Sequence, residues 1–362
     1  MENMTYQVLA RRLRPKNFKE IIGQKTIIKA INNSILSKKI HHSWLFSGIR
    51  GIGKTTIARL LAKVLNCTNV LNANPCNNCK NCKEIDQGCF IDFIEVDAAS
   101  KTKIEDTKEL LDNMEYKPIK GKYKVYLIDE IHMLSRYSFN ALLKTLEEPK
   151  KYVKIILATT DTTKIPKTIL SRCLHFNLKS INKRQIIKYL EKILKLEGVI
   201  FDKESIIKIA QKSEGSLRDC LNLTEKIIAL SNGNINIDNT NKELGLLDKK
   251  YIINLFENII NKEPKKLIHI LNKVEDKGLN IEYVLTDLLE LLYNLSMMKY
   301  HPKLWESTFS KKDKKLKNIS DLVTFNFIHN CYHKILNAKK TLKFSPDKRI
   351  GVEMNLLNLI VS

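Results

Sequence analysis

The sequence predicts an α/β fold in its first half, a parallel sheet with helices on both faces, followed by a region built from helices. Short apolar, β-branched runs alternate with longer helical patterns up to about Leu178, and such alternation is typical of parallel sheets. A glycine-rich turn joins the first of these runs to the helical pattern that follows it. Beyond Leu178 apolar residues recur at three- and four-residue spacing, which indicates helices.

The strands and helices of the first half follow one another in a regular order. Each candidate strand is apolar and is followed by polar or glycine-bearing residues, as expected of a buried strand that leads into a loop. The predicted strands are Ser43–Phe46, Phe93–Val96, Lys124–Ile128 and Val153–Ala158, and the predicted helices are Thr55–Leu65, Ile104–Asn113, Ser138–Leu146 and Lys167–Leu170.

The second half is predicted to consist of amphipathic helices. The polar stretch Ser231–Asn241 is rich in turn formers and is a candidate domain boundary. The lysine-rich run Ser310–Lys317 is predicted to be a solvated loop or an exposed helix face. The predicted helices are Lys183–Leu196, Lys203–Ser213, Leu217–Ala229, Ile252–Ile260, Pro264–Val274, Ile281–Tyr293 and Thr324–Leu336.

The composition is that of a globular protein with excess positive charge. The chain has 362 residues, and 62 Lys and Arg against 39 Asp and Glu give a formal charge of +23. This excess favours a polyanionic partner, although A/T-rich codons explain the many Lys, Asn and Ile residues equally well. The apolar runs are far shorter than the ~20 residues that span a bilayer. The amino terminus is charged where a signal peptide is apolar, so we expect a cytoplasmic protein.

A glycine-rich loop after the first strand matches the pattern G-x-x-x-x-G-K-[ST]. Glycines let backbone N–H groups approach phosphates, and the N-terminus of the following helix favours negative charge. Lys54 would supply a charge for the β- and γ-phosphates, Thr55 a hydroxyl for Mg²⁺, and Thr56 a contact to the α-phosphate. The loop consists of Gly48, Ile49, Arg50, Gly51, Ile52, Gly53, Lys54 and Thr55.

Two carboxylates, Asp129 and Glu130, follow the apolar strand Lys124–Ile128. Parallel sheets bind their ligands at the carboxyl ends of the strands. We therefore expect Asp129 to contribute to the Mg²⁺ shell and Glu130 to polarise an attacking water.

Three polar residues further along the chain are candidates for the same site. Thr160 stands at the end of the strand Val153–Ala158, where it could sense the γ-phosphate or orient the water. Arg172 follows the helix Lys167–Leu170 and could stabilise transition-state charge in cis or in trans, although the residue taken alone favours a surface salt bridge. Arg218 opens a helix beyond the sheet and could reach the nucleotide from there.

Four of the eight cysteines occur within 16 residues, at Cys67, Cys76, Cys79 and Cys82. Two C-x2-C steps bring thiolates together, and Zn²⁺ prefers four such ligands in a tetrahedron. No water-activating group lies among them, so the pattern favours a closed structural zinc site. An iron–sulfur cluster and four free thiols are the alternatives, and Cys89 is the residue that could replace one of the four ligands.

Together these motifs resemble those of an AAA+ ATPase of the clamp-loader branch, and more closely the gamma/tau subunits of bacterial DNA polymerase III. The resemblance covers essentially the whole chain. The segments that carry it, besides the four-cysteine insertion, are Tyr6–Pro15, Asp92–Asn113, Val125–Ser135, Phe139–Pro149, Ala158–Cys173, Glu214–Thr224 and Pro346–Leu357.

The resemblance implies three domains: an AAA+ nucleotide-binding core at 1–179 with a zinc-binding insertion at 67–82, a helical lid at 180–242, and a helical oligomerisation collar at 243–362. It implies an ATP-driven clamp-loader subunit that acts in chromosome replication. Further copies would join delta and delta-prime subunits in a five-membered ring, which opens the sliding clamp and closes it on primer–template DNA.

The resemblance also implies roles for the predicted site residues. Lys54 and Thr55 would bind phosphate and Mg²⁺. Asp129 and Glu130 would be the metal-binding and catalytic acids, and Thr160 would be the first sensor.

Two arginines receive roles in the same way. Arg218 would be the second sensor, and Arg172 would be the finger that reaches the ATP of a neighbouring subunit. The four cysteines of the insertion would be the zinc ligands. The adenine end would lie against the amino-terminal segment, around Ala10, Arg14 and Pro15.

The chain ends at Ser362, just after the expected collar, whereas the long tau form continues with segments that bind the helicase and the polymerase. The resemblance therefore implies the short gamma form, without that tether. The family is classed with DNA-directed DNA polymerases, which are nucleotidyltransferases. The sequence nevertheless shows no separate set of carboxylates for two-metal polymerase chemistry.

Two other functions compete with this interpretation. The run from Asp129 to His132 fits a DExH helicase motif literally, but such a helicase needs a second motor sheet, which the sequence after Leu178 does not indicate. A structural clamp-loader member that binds ATP without hydrolysing it is the other alternative, and the intact phosphate loop and acid pair argue against it.

DNA contacts are expected from lysines and arginines near the starts of core helices. Contacts of this kind are made to phosphate and carry no sequence code. Ordinary solvated side chains are an equally good explanation for these residues, which are Lys101, Lys103, Arg136 and Lys144.

Overall fold

The computed structural model describes residues 8–100, 104–231, 233–245, 247, 249–276, 278–301 and 314–360. The chain forms two compact units, Met1–Asn234 and Ile235–Ser362. Lys101 and Lys103 lie outside the described residues, and the division into three domains at 179/180 and 242/243 stays a prediction. Among the helices of the described part, none combines the length and apolar character needed to cross a bilayer.

The first unit is built on a parallel sheet of five strands in the order β2-β3-β4-β1-β5. The four predicted strands are confirmed, each one residue longer at its carboxyl end. The fifth strand has no counterpart in the prediction, because it lies at the sheet edge and is largely exposed, so its sequence lacks an apolar run. The strands are β1 (Ser43–Ser47), β2 (Phe93–Asp97), β3 (Lys124–Asp129), β4 (Val153–Thr159) and β5 (Leu174–Asn177).

The predicted covering of both sheet faces is confirmed by how the strand residues alternate. On β1, Trp44 and Phe46 belong to one apolar core, whereas Leu45 belongs to the other. On β3, Leu127 and Tyr126 divide between the two cores in the same way. Helices pack against each face, so the central strands are buried on both sides and their runs are apolar throughout.

The helices of the first unit include all those predicted. Three more, at Leu9–Arg12, Lys25–Leu36 and Lys80–Gln87, were not predicted. Two-residue strands, β6 (Ile200–Phe201) and β7 (Asn234–Ile235), also occur beyond the point where the strand pattern fades. The helices are α1 (Leu9–Arg12), α2 (Lys25–Leu36), α3 (Lys54–Asn66), α4 (Lys80–Gln87), α5 (Ile104–Met114), α6 (Arg136–Glu147), α7 (Lys167–Leu170), α8 (Lys183–Leu196), α9 (Lys203–Lys212) and α10 (Leu217–Leu230).

The second unit is helical in its described residues, apart from the end of β7. The boundary between the two units falls inside the candidate stretch Ser231–Asn241. The second half of this stretch is nevertheless helical, because Asn236 caps a helix there. Residues 314–317 of the lysine-rich run also lie in a helix. The helices are α11 (Ile237–Leu244), α12 (Lys249–Ile260), α13 (Pro264–Asp276), α14 (Glu282–Tyr300), α15 (Lys314–Leu322), α16 (Phe325–Thr341) and α17 (Lys348–Ile360).

Helix α14 is the centre of the second unit. Leu285, Leu288, Leu292 and Leu295 are completely buried on it, at the three- and four-residue spacing of one helix face. Helices α12, α13, α15, α16 and α17 contribute to the same apolar core.

Candidate nucleotide site and cysteine cluster

The phosphate loop is held in a conformation that requires glycine at specific positions. Gly48, Gly51 and Gly53 have φ values of +139°, +78° and +104°. The Gly48 N–H donates a 3.2 Å hydrogen bond to the Thr159 carbonyl. A Cβ atom on Gly48 would lie 2.6 Å from the Leu178 carbonyl oxygen. The loop is thus fixed at the carboxyl ends of the central strands. Only glycine fits at position 48, because any larger side chain would collide with the Leu178 backbone.

Lys54 is the first residue of α3, and its side chain folds back into the phosphate loop that precedes the helix. Its side chain is 5% exposed, and Nζ donates to the carbonyl oxygens of Gly48 at 2.8 Å and Ile49 at 3.0 Å. Burial lowers the pKa of the ammonium, while Glu130 and Asp129 act in the opposite direction. The amine therefore lies where it can contact a phosphate in the loop.

The acid pair at the end of β3 faces the start of α3. Thr55 Oγ1 donates a 2.7 Å hydrogen bond to Asp129 Oδ2. A hydroxyl and a carboxylate at this distance form an oxygen pair of the kind that Mg²⁺ takes in phosphate sites. The residues present therefore fit the metal that the motif requires.

Glu130 adopts a left-handed backbone conformation, with φ of +48°. Its Oε2 atom accepts hydrogen bonds from the Thr160 backbone N–H at 3.2 Å and from Thr160 Oγ1 at 3.0 Å. The end of β4 therefore contacts the end of β3 directly. The sequence predicts both residues in one site, but it does not predict that they are bonded to each other.

A cavity of about 1150 Å³ connects these groups. Its lining includes the loop from Ile49 to Thr56, the acid pair, Thr160 and Arg218, and the proposed adenine contacts Ala10, Arg14 and Pro15. The loop residue Gly48 and the candidate finger Arg172 are not part of the lining. Sequence reasoning missed Ile21, Ile22, Leu221, Asn222 and His132. Leu221, Asn222 and His132 lie in segments that carry the family resemblance, whereas no motif marks Ile21 and Ile22.

Arg14 lies in a strongly positive part of the cavity. Burial and the neighbouring Arg59 lower its pKa, Arg11 and Arg218 lower it further, and Glu95 opposes them. Arg59 itself forms a 2.6 Å ion pair with Glu95. This end of the cavity thus combines apolar walls with positive charge.

Helix α10 closes on the phosphate loop through backbone contacts. The carbonyl oxygen of Gly51 accepts hydrogen bonds from the backbone N–H groups of Leu217 at 3.1 Å and Arg218 at 3.3 Å. Ser216 caps the helix through its side chain, which accepts from Asp219 N–H. A Cβ atom on Gly51 would collide with Ser216 Oγ. Arg218 is therefore placed over the loop by main-chain hydrogen bonds.

Arg172 is engaged within its own chain. Nη1 donates to the Thr168 carbonyl at 2.8 Å and Nη2 to Glu147 Oε1 at 2.6 Å. Its side chain is 35% exposed and that of Glu147 is 50% exposed. An exposed ion pair of this type stabilises a protein by about 0–1 kcal/mol, so the guanidinium can leave it at little cost.

The four clustered cysteines converge in space. Their sulfur atoms all lie within 4.8 Å of one another, and Cys76 Sγ is 4.0 Å from Cys82 Sγ. Sulfur atoms bound to tetrahedral zinc at about 2.3 Å are roughly 3.8 Å apart, so the donor set fits zinc closely. Cys89 is exposed and bonds Glu84 and Gln87 instead.

Backbone N–H groups point at the cluster. Those of Cys76 and Cys79 donate to Cys67 Sγ and Cys76 Sγ, each at 3.3 Å, and that of Cys82 donates to Cys79 Sγ at 3.4 Å. Although burial opposes ionisation, hydrogen bonds from Thr68 and Cys82 lower the pKa of Cys79 to about 6. Amide donors of this kind stabilise thiolates, the form in which cysteine binds metals, and they also lower the pKa of Cys76, whereas burial raises the pKa of Cys67 and Cys82.

Three family models match successive parts of the chain. The model described as DNA polymerase III, delta subunit matches residues 23–182. The DNA polymerase III clamp loader subunit, ATPase lid domain matches residues 185–233. DNA polymerase III subunits gamma and tau domain III matches residues 235–362.

Individual proteins similar to this chain are also DNA polymerase III subunits. DNA polymerase III subunit gamma of Buchnera aphidicola (subspecies Acyrthosiphon pisum) is 51% identical over 358 residues, which are 99% of each chain. DNA polymerase III subunit tau of Escherichia coli is 44% identical over 99% of this chain and 56% of its own length. Among solved structures, a RuvB variant of Thermotoga maritima has a TM-score of 0.49 at 20% identity, covering 74% of this chain and 86% of its own.

Replacing Gly51 by Ala should weaken nucleotide binding. The left-handed conformation costs an L-residue about 1–2 kcal/mol, and the methyl group would displace Ser216 from the loop. We expect roughly tenfold weaker affinity, measured by titration with a fluorescent ATP analogue.

The matched control for this variant is Gly198→Ala. Gly198 also has a positive φ, at +68°, but no atom lies within 4 Å of its Cβ position. We expect wild-type affinity for this control. Equal affinity in the Gly51 variant and the wild type would show that the α10 contact does not shape the loop.

Proposed function

Because the chain belongs to the gamma/tau family of DNA polymerase III clamp-loader subunits, we propose that it binds and hydrolyses ATP to open a sliding clamp and load it on primed DNA. The observation that carries the proposal is one cavity that joins the phosphate loop, the acid pair, Thr160 and Arg218. This arrangement serves nucleotide hydrolysis, and we propose that the chain itself does not polymerise DNA.

Each group at the phosphate end has a separate task in this proposal. Lys54 and the N-terminus of α3 bind the β- and γ-phosphates. Thr55 and Asp129 would hold Mg²⁺, which neutralises developing phosphate charge when bound. Glu130 orients and polarises the attacking water, and Thr160, which contacts Glu130, acts as the first sensor.

The other end of the cavity receives the nucleoside. We propose that Ala10, Pro15 and the stem of Arg14 pack against adenine. Arg218 acts as the second sensor, because its backbone is bonded to the phosphate loop while its side chain lines the cavity. A change in loop conformation would therefore be transmitted to α10.

The proposed partners are other clamp-loader subunits, including delta, delta-prime and further copies of this chain, in a five-membered ring, together with the sliding clamp and primer–template DNA. Arg136 and Lys144 are exposed on α6, as DNA phosphate contacts require. Arg136 begins the helix as expected, but the expectation that Lys144 lies near a helix start is wrong, because Lys144 is in the last turn. Binding through such contacts weakens with salt and is independent of sequence.

The function can be tested in the complex of this chain with its partner subunits. Glu130→Gln should keep ATP binding but lower clamp- and DNA-stimulated hydrolysis by about 10²- to 10⁴-fold, because water activation is lost. Lys54→Ala should instead weaken ATP binding, since a phosphate ligand is removed. Steady-state hydrolysis and ATP titration separate the two effects.

The control for both variants is Lys192→Ala, which removes an exposed lysine of α8. We expect wild-type activity from it. Clamp loading that continues at the normal rate in the Glu130→Gln complex would contradict a role for hydrolysis, and would favour the non-hydrolysing alternative.

Arg172 is proposed to complete the ATP site of a neighbouring subunit, since it is exposed and lies outside the lining of its own cavity. Arg172→Ala should leave nucleotide affinity of the isolated chain unchanged and lower hydrolysis in the complex by about 10³-fold or more, as arginine fingers do. Glu147→Gln, which removes the partner of Arg172, is the control and should retain activity. Equal rates in the Arg172→Ala and wild-type complexes would rule out the finger.

We propose that Cys67, Cys76, Cys79 and Cys82 hold one structural zinc ion. Zinc would tie the loop after α3 to the start of α4, which Cys79 caps. Lys63 and Asp86 add a 2.6 Å ion pair between the same two helices. No group that could activate water belongs to the cluster, so the site would stabilise the fold.

Elemental analysis of protein purified without chelators should find one zinc per chain. Cys79→Ser should lose the metal and lower the melting temperature of the protein, because a ligand is missing. Cys89→Ser is the matched control and should retain both. A chain without zinc, or one whose absorption spectrum shows an iron–sulfur cluster, would contradict the assignment.

A further inference from the structure

His132 follows Glu130 in a short 3-10 turn, Ile131–Met133, and its side chain lines the nucleotide cavity while remaining only 11% exposed. Its Nδ1 atom lies 3.1 Å from Thr159 Oγ1 and 3.4 Å from Glu130 Oε2. The ring thus bridges the turn after β3 and the last residue of β4. No role assigned above uses this side chain.

The hydrogen-bond partners of Thr159 determine which atom carries the proton. Thr159 Oγ1 donates its single hydrogen to the Asp161 carbonyl at 3.0 Å and accepts from Asp161 N–H at 3.1 Å. It therefore has no hydrogen left for His132. The 3.1 Å hydrogen bond to Thr159 Oγ1 therefore requires Nδ1–H on His132, and Glu130 Oε2, an acceptor when ionised, lies 3.4 Å from the same nitrogen.

We propose that His132 is a positioning residue for the carboxylate of Glu130. The inference rests on the proposed function, in which Glu130 activates water. Oε2 accepts hydrogen bonds from the N–H and the hydroxyl of Thr160 and lies 3.4 Å from His132 Nδ1. Oε1 makes no hydrogen bond to the described part of the chain, and so it is the oxygen available to the water.

This arrangement fixes the direction of the catalytic oxygen. A carboxylate on a flexible side chain can rotate, and a misplacement of about 1 Å costs on the order of 10²-fold in rate. The left-handed backbone of Glu130 fixes the position of its Cβ atom, and His132 and Thr160 fix the position of its carboxylate. Loss of the His132 donor should therefore affect kcat more than KM.

The experiment compares His132→Leu, which fills the site without a donor, with His132→Asn, which keeps an N–H group. Both are measured as ATP hydrolysis by the assembled complex. We expect His132→Leu to lower kcat about tenfold with KM within about twofold, and His132→Asn to recover most of the loss. His269→Ala, an exposed histidine of the second unit, controls for loss of an imidazole and should match the wild type.

A second measurement separates positioning from a structural role. Combined with Glu130→Gln, His132→Leu should cause no further loss of kcat, because residues that act as a unit are not additive. Wild-type kcat in His132→Leu, equal loss in the Leu and Asn variants, or a full further loss in the double variant would each overturn the inference. If the Glu130→Gln complex hydrolysed ATP as fast as the wild-type complex, that result would instead refute the proposed function.

Discussion

The rest of the site depends on one constraint: the backbone of the phosphate loop lies in close contact with the end of β4, with Leu178 and with the start of α10. Gly48 is bonded to the end of β4 and lies against Leu178, so it fixes the loop to the sheet. Gly51 accepts two hydrogen bonds from the start of α10 and fixes the loop to the neighbouring helices. Neither contact leaves room for a Cβ atom, and both therefore depend on glycine.

The strand order then brings the chemistry to this loop. Strand β4 lies between β3 and β1, so the carboxyl ends of all three meet at one edge of the sheet. Asp129 reaches Thr55 across this edge, and Glu130 reaches Thr160. The phosphate loop, the oxygen pair of Thr55 and Asp129, and the carboxylate of Glu130 are consequently held together at the ends of neighbouring strands, with Arg218 brought to the same loop by α10.

Most of this site was predictable from sequence because its residues belong to local motifs whose geometry follows from strand and helix ends. The four central strands were equally clear, since burial on both sides demands apolar runs. Strand β5 was not predicted, because an exposed edge strand carries no run of apolar residues. Helix α11 was not predicted either, because the polar residues that cap it are also typical of a turn. The hydrogen bonds from Leu217 and Arg218 to Gly51 involve only backbone atoms, which no side-chain pattern reports.

In the function proposed for the chain, nucleotide in this cavity controls the opening of a sliding clamp. A fluorophore and quencher placed across one subunit interface of the sliding clamp measure that opening directly in the assembled complex. We expect a non-hydrolysable ATP analogue to increase fluorescence with the wild-type chain and to have no effect with Lys54→Ala. Clamp opening that is the same with and without nucleotide would contradict the account.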